Sequence, residues 1–393
     1  MMSVTIIGGG MAGATLALAL AHMTQGQLSI DLVEMQAPEI RAHPCFDARA
    51  IALAQGTCCE LTAIGIWSAL ASCATSIQQV VVSDRGHLSK VLIAACDYQL
   101  PALGYVVKLH DVGTRLFSLL RKTPGIQLHC PASLKQIQRE KTGNLVILDN
   151  GYHLSSQLVV AADGSHSLLA AHCSIRWKQR DYQQIAVIAD ISTTLPHDGN
   201  AFERFTSHGP LALLPISGGR SSLVWCLPAE RQQEITEWDA PQFCQALQQA
   251  FGWRLGHITG VSELHCYPLR LQTAERHIAH RLALVGNAAQ SLHPIAGQGF
   301  NLSLRDVMTL AETIAQAIAQ GEDIGDYAVL RRYQQRRQSD QNGTVDITDG
   351  LIHIFSNSHL PLVIGRNLGL LAIAHIPLLR DALAWQTLGW VAR

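Results

Sequence analysis

The sequence has no CxxC pair, and its ten cysteines are scattered, with Cys58 directly followed by Cys59. That spacing suits neither a zinc site nor a disulfide framework and reads as free thiols in a reducing compartment. Charge is sparse, at 15% of residues, and balanced to a formal net charge of −1, so no basic surface for nucleic acid is expected. The 18 histidines include no HExxH or comparable pair, and no metal is expected. No apolar run reaches the ~18 residues of a spanning helix, because Arg366, His375 and Pro377 interrupt the most apolar C-terminal stretch. The apolar segment Val4 to Met23 lacks a basic leader and carries glycines where a turn needs them, which reads as fold and not as a secretory signal.

What is present is core: 48% of the 393 residues are hydrophobic, enough for about two domains. Ser3 to Ile7 reads as a buried strand, Ala12 to Met23 as an apolar helix and Leu28 to Val33 as a second strand, together a βαβ unit. A helix is predicted over 50–64, another over 111–122, and short strands at 78–83, 90–94, 126–130, 145–148 and 158–161. From 173 to 281 turn punctuation separates strands, including Leu211 to Pro215 and Ser221 to Leu227 joined through Gly218-Gly219. A strand at 282–285 then leads into a helix over 301–320. The expected division is a first part at 1–172, with inserted strands at about 75–108 contributing to the second domain. An antiparallel-sheet domain follows at 173–281, the first domain resumes at 282–325, and a helical region occupies 326–393.

Gly8, Gly10 and Gly13 form GxGxxG directly between strand and helix, with Met11 in the turn and Ala12 opening the helix. The first glycine permits the turn, the second admits a pyrophosphate to the backbone, and the third lets helix and strand pack closely. Glu34 follows Gly13 by 21 residues and ends the second strand, where a carboxylate accepts from ribose hydroxyls. Taken alone, this motif serves an NAD-dependent dehydrogenase as well as a flavoprotein.

Two further blocks separate them. Leu158 to Gly164, containing Asp163-Gly164, resembles the Asp-Gly motif of flavoprotein aromatic hydroxylases. Leu282 to Asn287, followed by His293 to Leu302, resembles their second flavin motif. Further blocks at Phe46 to Leu53, Glu203 to Thr206 and Gly209 to Pro215 are similar to a narrower group, the ubiquinone-biosynthesis hydroxylases, over nearly the whole chain. The resemblance implies an α/β fold: a Rossmann-like FAD-binding domain of the aromatic-hydroxylase type, a second antiparallel-sheet substrate domain, and C-terminal helices.

It also implies that NADPH or NADH reduces FAD, that oxygen is activated at the flavin, and that a hydroxyl passes to a prenylated phenol. The protein would be cytoplasmic, with at most peripheral contact at the inner membrane and room for partners in a biosynthetic complex. The cofactor residues carried over are Gly8, Gly10, Met11, Ala12, Gly13, Glu34, Arg49, Arg115, Asp163, Gly164, Gly286, Asn287, Gly297, Gly299, Phe300 and Asn301. Gly297 and Gly299 would let the backbone lie against a flat ring, with the following helix pointing its free N–H groups at it.

Three positions depart from the wider pattern: Asn287 replaces an aspartate, Ala170 an arginine and Ser303 a glycine. The substrate pocket is expected near Phe205, Leu213, Trp225 and Pro294. His208, His265 and Tyr267 are candidates for the phenol-activating base, each with a structural role as the simpler alternative. The pair Asp306 and Glu312 reads as the polar face of a helix. A hydroxylase of small soluble phenols and a flavin-stabilised scaffold subunit remain the competing functions.

Overall fold

A computed structural model describes residues 2–36, 47, 49–86, 90–291, 297–355, 369, 372–373 and 375–390. Its first sheet is built on β1 (Met2–Ile7), whose apolar run from Val4 to Ile7 is buried on both faces as a central parallel strand must be. α1 (Met11–Thr24) crosses over to β2 (Leu28–Val33), which lies parallel to β1, and β8 (Ile126–His129) extends that side. On the other side lie β12 (Leu158–Ala161) and β20 (Leu282–Leu284), both parallel, then the short antiparallel β19 (Ile278–Ala279). α4 (Leu109–Lys122) and α8 (Gln298–Ala319) pack with α1 over this sheet, burying Leu16, Leu20, Leu116, Leu304, Val307 and Ile314 in one apolar cluster. α9 (Tyr327–Phe355) lies outside α8. A three-stranded meander of β9 (Leu134–Arg139), β10 (Asn144–Leu148) and β11 (His153–Ser156) turns at Asn150-Gly151 and precedes β12 and the short α5 (Leu168–His172).

The second large sheet has nine strands. In order they are β21 (Gln290–Ser291), β18 (His265–Ala274), β13 (Trp177–Thr193), β16 (Ser221–Pro228), β15 (Gly209–Pro215), β14 (Asn200–Thr206), β5 (Gln79–Asp84) and β6 (Lys90–Ala94), with β17 (Ile258–Val261) also on β13. Every pairing is antiparallel except β14 with β5, which is parallel. A third sheet, β3 (Ala50–Ala54), β7 (Gly104–Lys108) and β4 (Thr75–Ile77), lies between the two large ones, and α2 (Gln55–Ala63) and α3 (Trp67–Leu70) follow β3. The helix expected over 50–64 is thus a strand for its first five residues. Pairing with β7 overrides the helix preference of Ala50, Ala52 and Ala54.

Directly opposed residues in a ladder share a face, and successive residues alternate. One face of the nine-stranded sheet carries Val187, Phe202, Leu211, Leu213, Leu223 and Trp225. It is sealed by α6 (Gln232–Glu237) and α7 (Ala240–Phe251) through Ile235, Phe243, Leu247 and Phe251. No helix is expected there from strand punctuation, yet α7 opens with a capping box: Gln242 N donates to Asp239 Oδ1 at 2.8 Å and Asp239 N to Gln242 Oε1 at 3.0 Å.

The opposite face carries a row that runs Val82, Glu203, Ala212, Val224, Ile188, His265 across six strands. Along it Val82, Glu203, Ala212, Val224, Ile188 and His265 are only half-buried, and so is Leu214 in the next row, while their neighbours on the helix face are buried. This second face looks toward β3 and β7: Ala201, Phe205 and Ile216 share an apolar cluster with Ala50 and Val106.

Candidate active site

The N-terminal turn is shaped for a group that needs bare backbone. Gly8 sits at φ +101°, a region side chains rarely adopt, and a Cβ there would lie 2.5 Å from the Ala162 carbonyl oxygen. A Cβ on Gly13 would overlap the Gly8 carbonyl oxygen. α1 begins at Gly10 with no side-chain cap, so its first N–H groups remain for an anion, beside Met11 and Ala12. Glu34 is 8% exposed, and its Oε2 accepts from Gly9 N at 2.6 Å while Oε1 accepts from Gln36 N at 2.9 Å. A carboxylate at this position can accept from a ribose hydroxyl.

The far end of the cradle is built the same way. Asp163 adjoins Gly8, and its Oδ1 is buried with no hydrogen-bond partner, an acceptor aimed at the cradle. Burial pushes this carboxyl up, opposed by the Ser167 hydroxyl. Beside Gly164 and Gly299 a Cβ would meet nothing within 4 Å. α8 begins at Gly297, φ +61°, again without a side-chain cap, and a Cβ on Gly297 would lie 3.2 Å from Ala52 of β3. Gly286 packs against Ala12, and Asn287 is exposed beside it. Phe300 is half-buried in the first turn of α8. A buried acceptor without a donor, two uncapped helix starts and open space over glycines fit a dinucleotide carrying a flat ring, as FAD does.

Asn301 plays a different part from the one expected of its side chain. Its Oδ1 accepts from Ala54 N at 2.9 Å and Thr57 Oγ1 at 2.7 Å, and its Nδ2 donates to Ala52 O at 3.1 Å and Gly297 O at 2.8 Å. That uses its whole capacity, so the side chain ties β3 and α2 to α8 and leaves only the main chain for a cofactor. Arg115 lies on α4, with Nη1 donating to Asp111 O at 3.2 Å within its own helix. Ala170 is fully buried, in a core with Cys173 and Ile175, where an arginine would have no solvent path.

The expected pocket residues divide between the two faces of the sheet. Phe205 looks toward β3. Leu213 and Trp225 face the other way, into the core under α7, where Trp225 meets Phe243 edge-on at 5.9 Å. The surface opposite the flavin loop is therefore formed by their alternates, Ala212, Leu214 and Val224. Pro294 lies outside the described residues.

Of the three candidate bases, His208 is exposed on the β14–β15 turn. His265 is half-buried at the β18 end of the row. Tyr267 donates to Asp47 Oδ2 at 3.1 Å under the Arg49 guanidinium, 4.9 Å from its ring centre. Burial first, then the Asp47 charge, raises the Tyr267 phenol, so Tyr267 holds its proton.

Charged groups complete this face, and of them only Arg49 is expected from the sequence. Arg49 Nε donates to Asp47 at 2.8 Å, and Lys108 Nζ of β7 reaches Asp190 Oδ2 of β13 at 2.6 Å, with Arg220 at 3.5 Å. Lys108 and Asp190 each sit in a strand as a charge among apolar residues, a signal that sequence pattern alone could have flagged. Lys108 with Asp190, and Tyr267 with Asp47, tie β7 and the segment before β3 to the substrate sheet. Among the described residues no three His, Cys, Asp or Glu side chains cluster as a metal site would require, and no helix is long and apolar enough to cross a membrane.

Comparison with known proteins gives this geometry its context. Residues 1–348 match the family model described as an FAD binding domain. The chain is 35% identical over 370 residues to ubiquinone hydroxylase UbiL of Rhodospirillum rubrum, covering 94% of this chain and 85% of that protein. It is 30% identical to 3-demethoxyubiquinol 3-hydroxylase of Escherichia coli, covering 98% of each. Among solved structures, p-nitrophenol 4-monooxygenase PnpA from Pseudomonas putida superposes with a TM-score of 0.79 at 16% identity, covering 99% of each chain, which shows the shared fold. The chain belongs to the FAD-dependent hydroxylases of ubiquinone biosynthesis, a family of NAD(P)H-using aromatic monooxygenases.

Proposed function

We propose that this enzyme hydroxylates 2-octaprenyl-6-methoxyphenol to 2-octaprenyl-6-methoxy-1,4-benzoquinol. The observation that carries the reading is the half-buried, largely apolar face of Ile188, Ala212, Leu214 and Val224, turned toward the Gly297 to Gly299 loop and the strand beside it. Such a surface takes a ring and excludes water. The net reaction consumes one phenol, one dioxygen, one NAD(P)H and one proton, and yields the quinol, water and NAD(P)+. Bound FAD supplies the redox chemistry, taking a hydride from the nicotinamide and activating oxygen.

The chain's own residues do the rest. Gly8, Gly13 and Glu34 would hold the pyrophosphate and ribose, Asp163 and Asn287 offer acceptors to the ribityl side, and the free N–H groups at the start of α8 would stabilise negative charge on the reduced ring. Choice of ring position rests on Asn287 and the sequence over 386–393, which resemble 2-octaprenyl-6-methoxyphenol hydroxylase. A long prenyl tail also calls for contact with lipid. α10 (Pro377–Thr387) packs inward through Ala384 and keeps Leu378, Leu379 and Trp385 exposed, together with Ile376 just before it. These side chains suit shallow, peripheral contact with a membrane.

The test is product mass spectrometry of FAD-loaded protein with NADPH and labelled oxygen. A single labelled oxygen para to the phenol oxygen of a prenylated substrate is expected, with a tail-less analogue turned over more slowly. Equal turnover of the analogue would favour the small-phenol reading, and absence of any hydroxylated phenol would leave only the scaffold role.

A further inference from the structure

Glu203 extends a carboxyl into the face that the proposed substrate ring would occupy, and nothing in the reaction described so far uses it. It lies on β14 between Val82 and Ala212 of the neighbouring strands, with Ala201 and Phe205 two residues to either side on the same face. Protein atoms surround it densely, yet the side chain keeps some accessible surface, as expected of a group beside an internal space. Among the described residues no hydrogen bond reaches it. Burial alone pushes its carboxyl up to about 7.

The ionisable groups near it are accounted for. Cys226, in the next row, is itself pushed far up by burial and by Glu203. Asp84 opposes Phe205 and interacts with Arg204, which reaches over the other face to the Ala250 carbonyl at 3.0 Å. Lys108 with Asp190, and Arg49 with Asp47 and Tyr267, are engaged with each other toward the far end of the sheet. Asp381 of α10 accepts from Tyr98 at 3.0 Å. Among the described residues no cation acts on Glu203, so its carboxyl stands in a largely apolar wall, a placement that costs free energy and is retained at functional sites.

We propose that Glu203 is the proton acceptor for the substrate phenol. This rests on the functional reading above. The Glu203 carboxylate takes the phenol O–H proton and becomes a carboxylic acid. The oxygen electron pair is then released into the ring: the para carbon bonds to the oxygen atom activated at the flavin as the O–O bond breaks, the para hydrogen leaves as a proton, and the ring oxygen takes up a proton to give the quinol. The Glu203 proton passes to water when product leaves. An ordinary carboxylate is a weak partner for a phenol that ionises near pH ~10, and a base poised near neutrality narrows that gap. Neither His208, exposed on its turn, nor Tyr267, holding its own proton, offers this.

The experiment compares FAD-loaded wild type, E203Q and E203D. Product formation from the prenylated phenol is measured against pH, together with FAD content, thermal midpoint and the infrared carboxyl band. Wild type is expected to lose activity as pH falls through about 7 and to show a carboxylic acid band that disappears through the same range and is absent in E203Q. E203Q should hydroxylate about 100-fold more slowly at pH 7, with its acid limb moved toward the ionisation of the free phenol near pH ~10. E203D should recover part of the rate. A wild-type enzyme that yields no hydroxylated phenol overturns the functional reading and this inference with it. Wild-type turnover that E203Q matches at every pH, or a Glu203 carboxyl fully ionised at pH 5, overturns this inference alone.

Discussion

Arg337 of α9 donates from Nε to Asp306 Oδ1 of α8 at 2.8 Å, and both side chains are shut off from solvent, at 1% and 0% exposure. Asp306 is therefore not part of a solvated helix face, as its spacing from Glu312 suggests. Gln341 Nε2 also donates to Asp306 at 2.9 Å, and Asp340 joins Arg337 to Arg305. The network fixes α9 on α8, whose uncapped first turn is the proposed flavin contact. Breaking a buried pair on one side strands the other charge, which typically costs about 3–5 kcal/mol. Asp306→Ala should lower the thermal midpoint and shed FAD at temperatures where wild type retains it, as followed by flavin fluorescence on heating. An unchanged midpoint would show that the pair adds nothing.

The glycine turn gives a sharper test. Gly13→Ala places a methyl against the Gly8 carbonyl, and Gly8→Ala strains a φ of +101° as well as meeting Ala162. Both proteins should purify without yellow colour while retaining most of their far-ultraviolet circular dichroism. Retained stoichiometric FAD would contradict the placement of the pyrophosphate here.

Glu34→Gln keeps the side-chain shape but removes the charge that accepts from Gly9 and Gln36. Hydrogen bonds to charged groups contribute about 1.5–3 kcal/mol, so FAD affinity should fall roughly 10- to 100-fold by fluorescence titration. Turnover at saturating FAD should change little.

Opposite faces of one strand should respond in opposite ways. Trp225→Ala empties the core under α7 and is expected to cost about 3–5 kcal/mol in denaturant unfolding. Val224→Phe and Leu214→Phe fill the half-buried face and should raise the KM for the phenol with little change in midpoint. If instead the Trp225 variant altered KM and the Val224 variant only stability, the faces would be assigned the wrong way round.

Burial of Glu203 also has a thermodynamic signature separate from catalysis. The folded state holds this proton up to about pH 7, whereas an unfolded chain releases it near 4.5, so between those values folding binds protons and stability falls as pH rises. Relative to E203Q, wild type should lose up to about 3 kcal/mol across that window and nothing further above it. Parallel urea titrations at pH 4.5 and pH 8 would detect the difference. Equal offsets at both pH values would mean the carboxyl ionises normally.

The cofactor cradle was legible from sequence because its chemistry is backbone chemistry. Gly8, Gly10 and Gly13 stand at a strand-to-helix junction for steric reasons, and Glu34 must end the next strand to reach the same ribose. The substrate face was not legible, for an equally physical reason. Leu211 to Pro215 is apolar on both sides because helices cover one face and a ring is expected on the other, so Leu213 and Leu214 look alike until α7 is placed. The segment over 50–64 misled because alanine favours helix, while its partner β7 is 50 residues away in sequence. Asn301 follows the Gly297 to Gly299 turn, and its side-chain role depends on Ala54 and Thr57, nearly 250 residues earlier. Glu203 is followed directly by Arg204 in β14, so in the sequence it reads as one of two ordinary strand charges. What the sequence withheld was that, among the described residues, no cation acts on it.

The strand order β20-β12-β1-β2 has a consequence for how the protein is made. The first βαβ unit emerges from the ribosome early, yet the strand that flanks β12 and the helix that packs on α1 come from residues 282–319. At typical synthesis speeds the N-terminal half waits on the order of 10–60 s for them, with the apolar side of α1 uncovered. FAD capture is accordingly expected only after residue 319 has cleared the exit tunnel, when the Gly297 start of α8 can join the glycine turn.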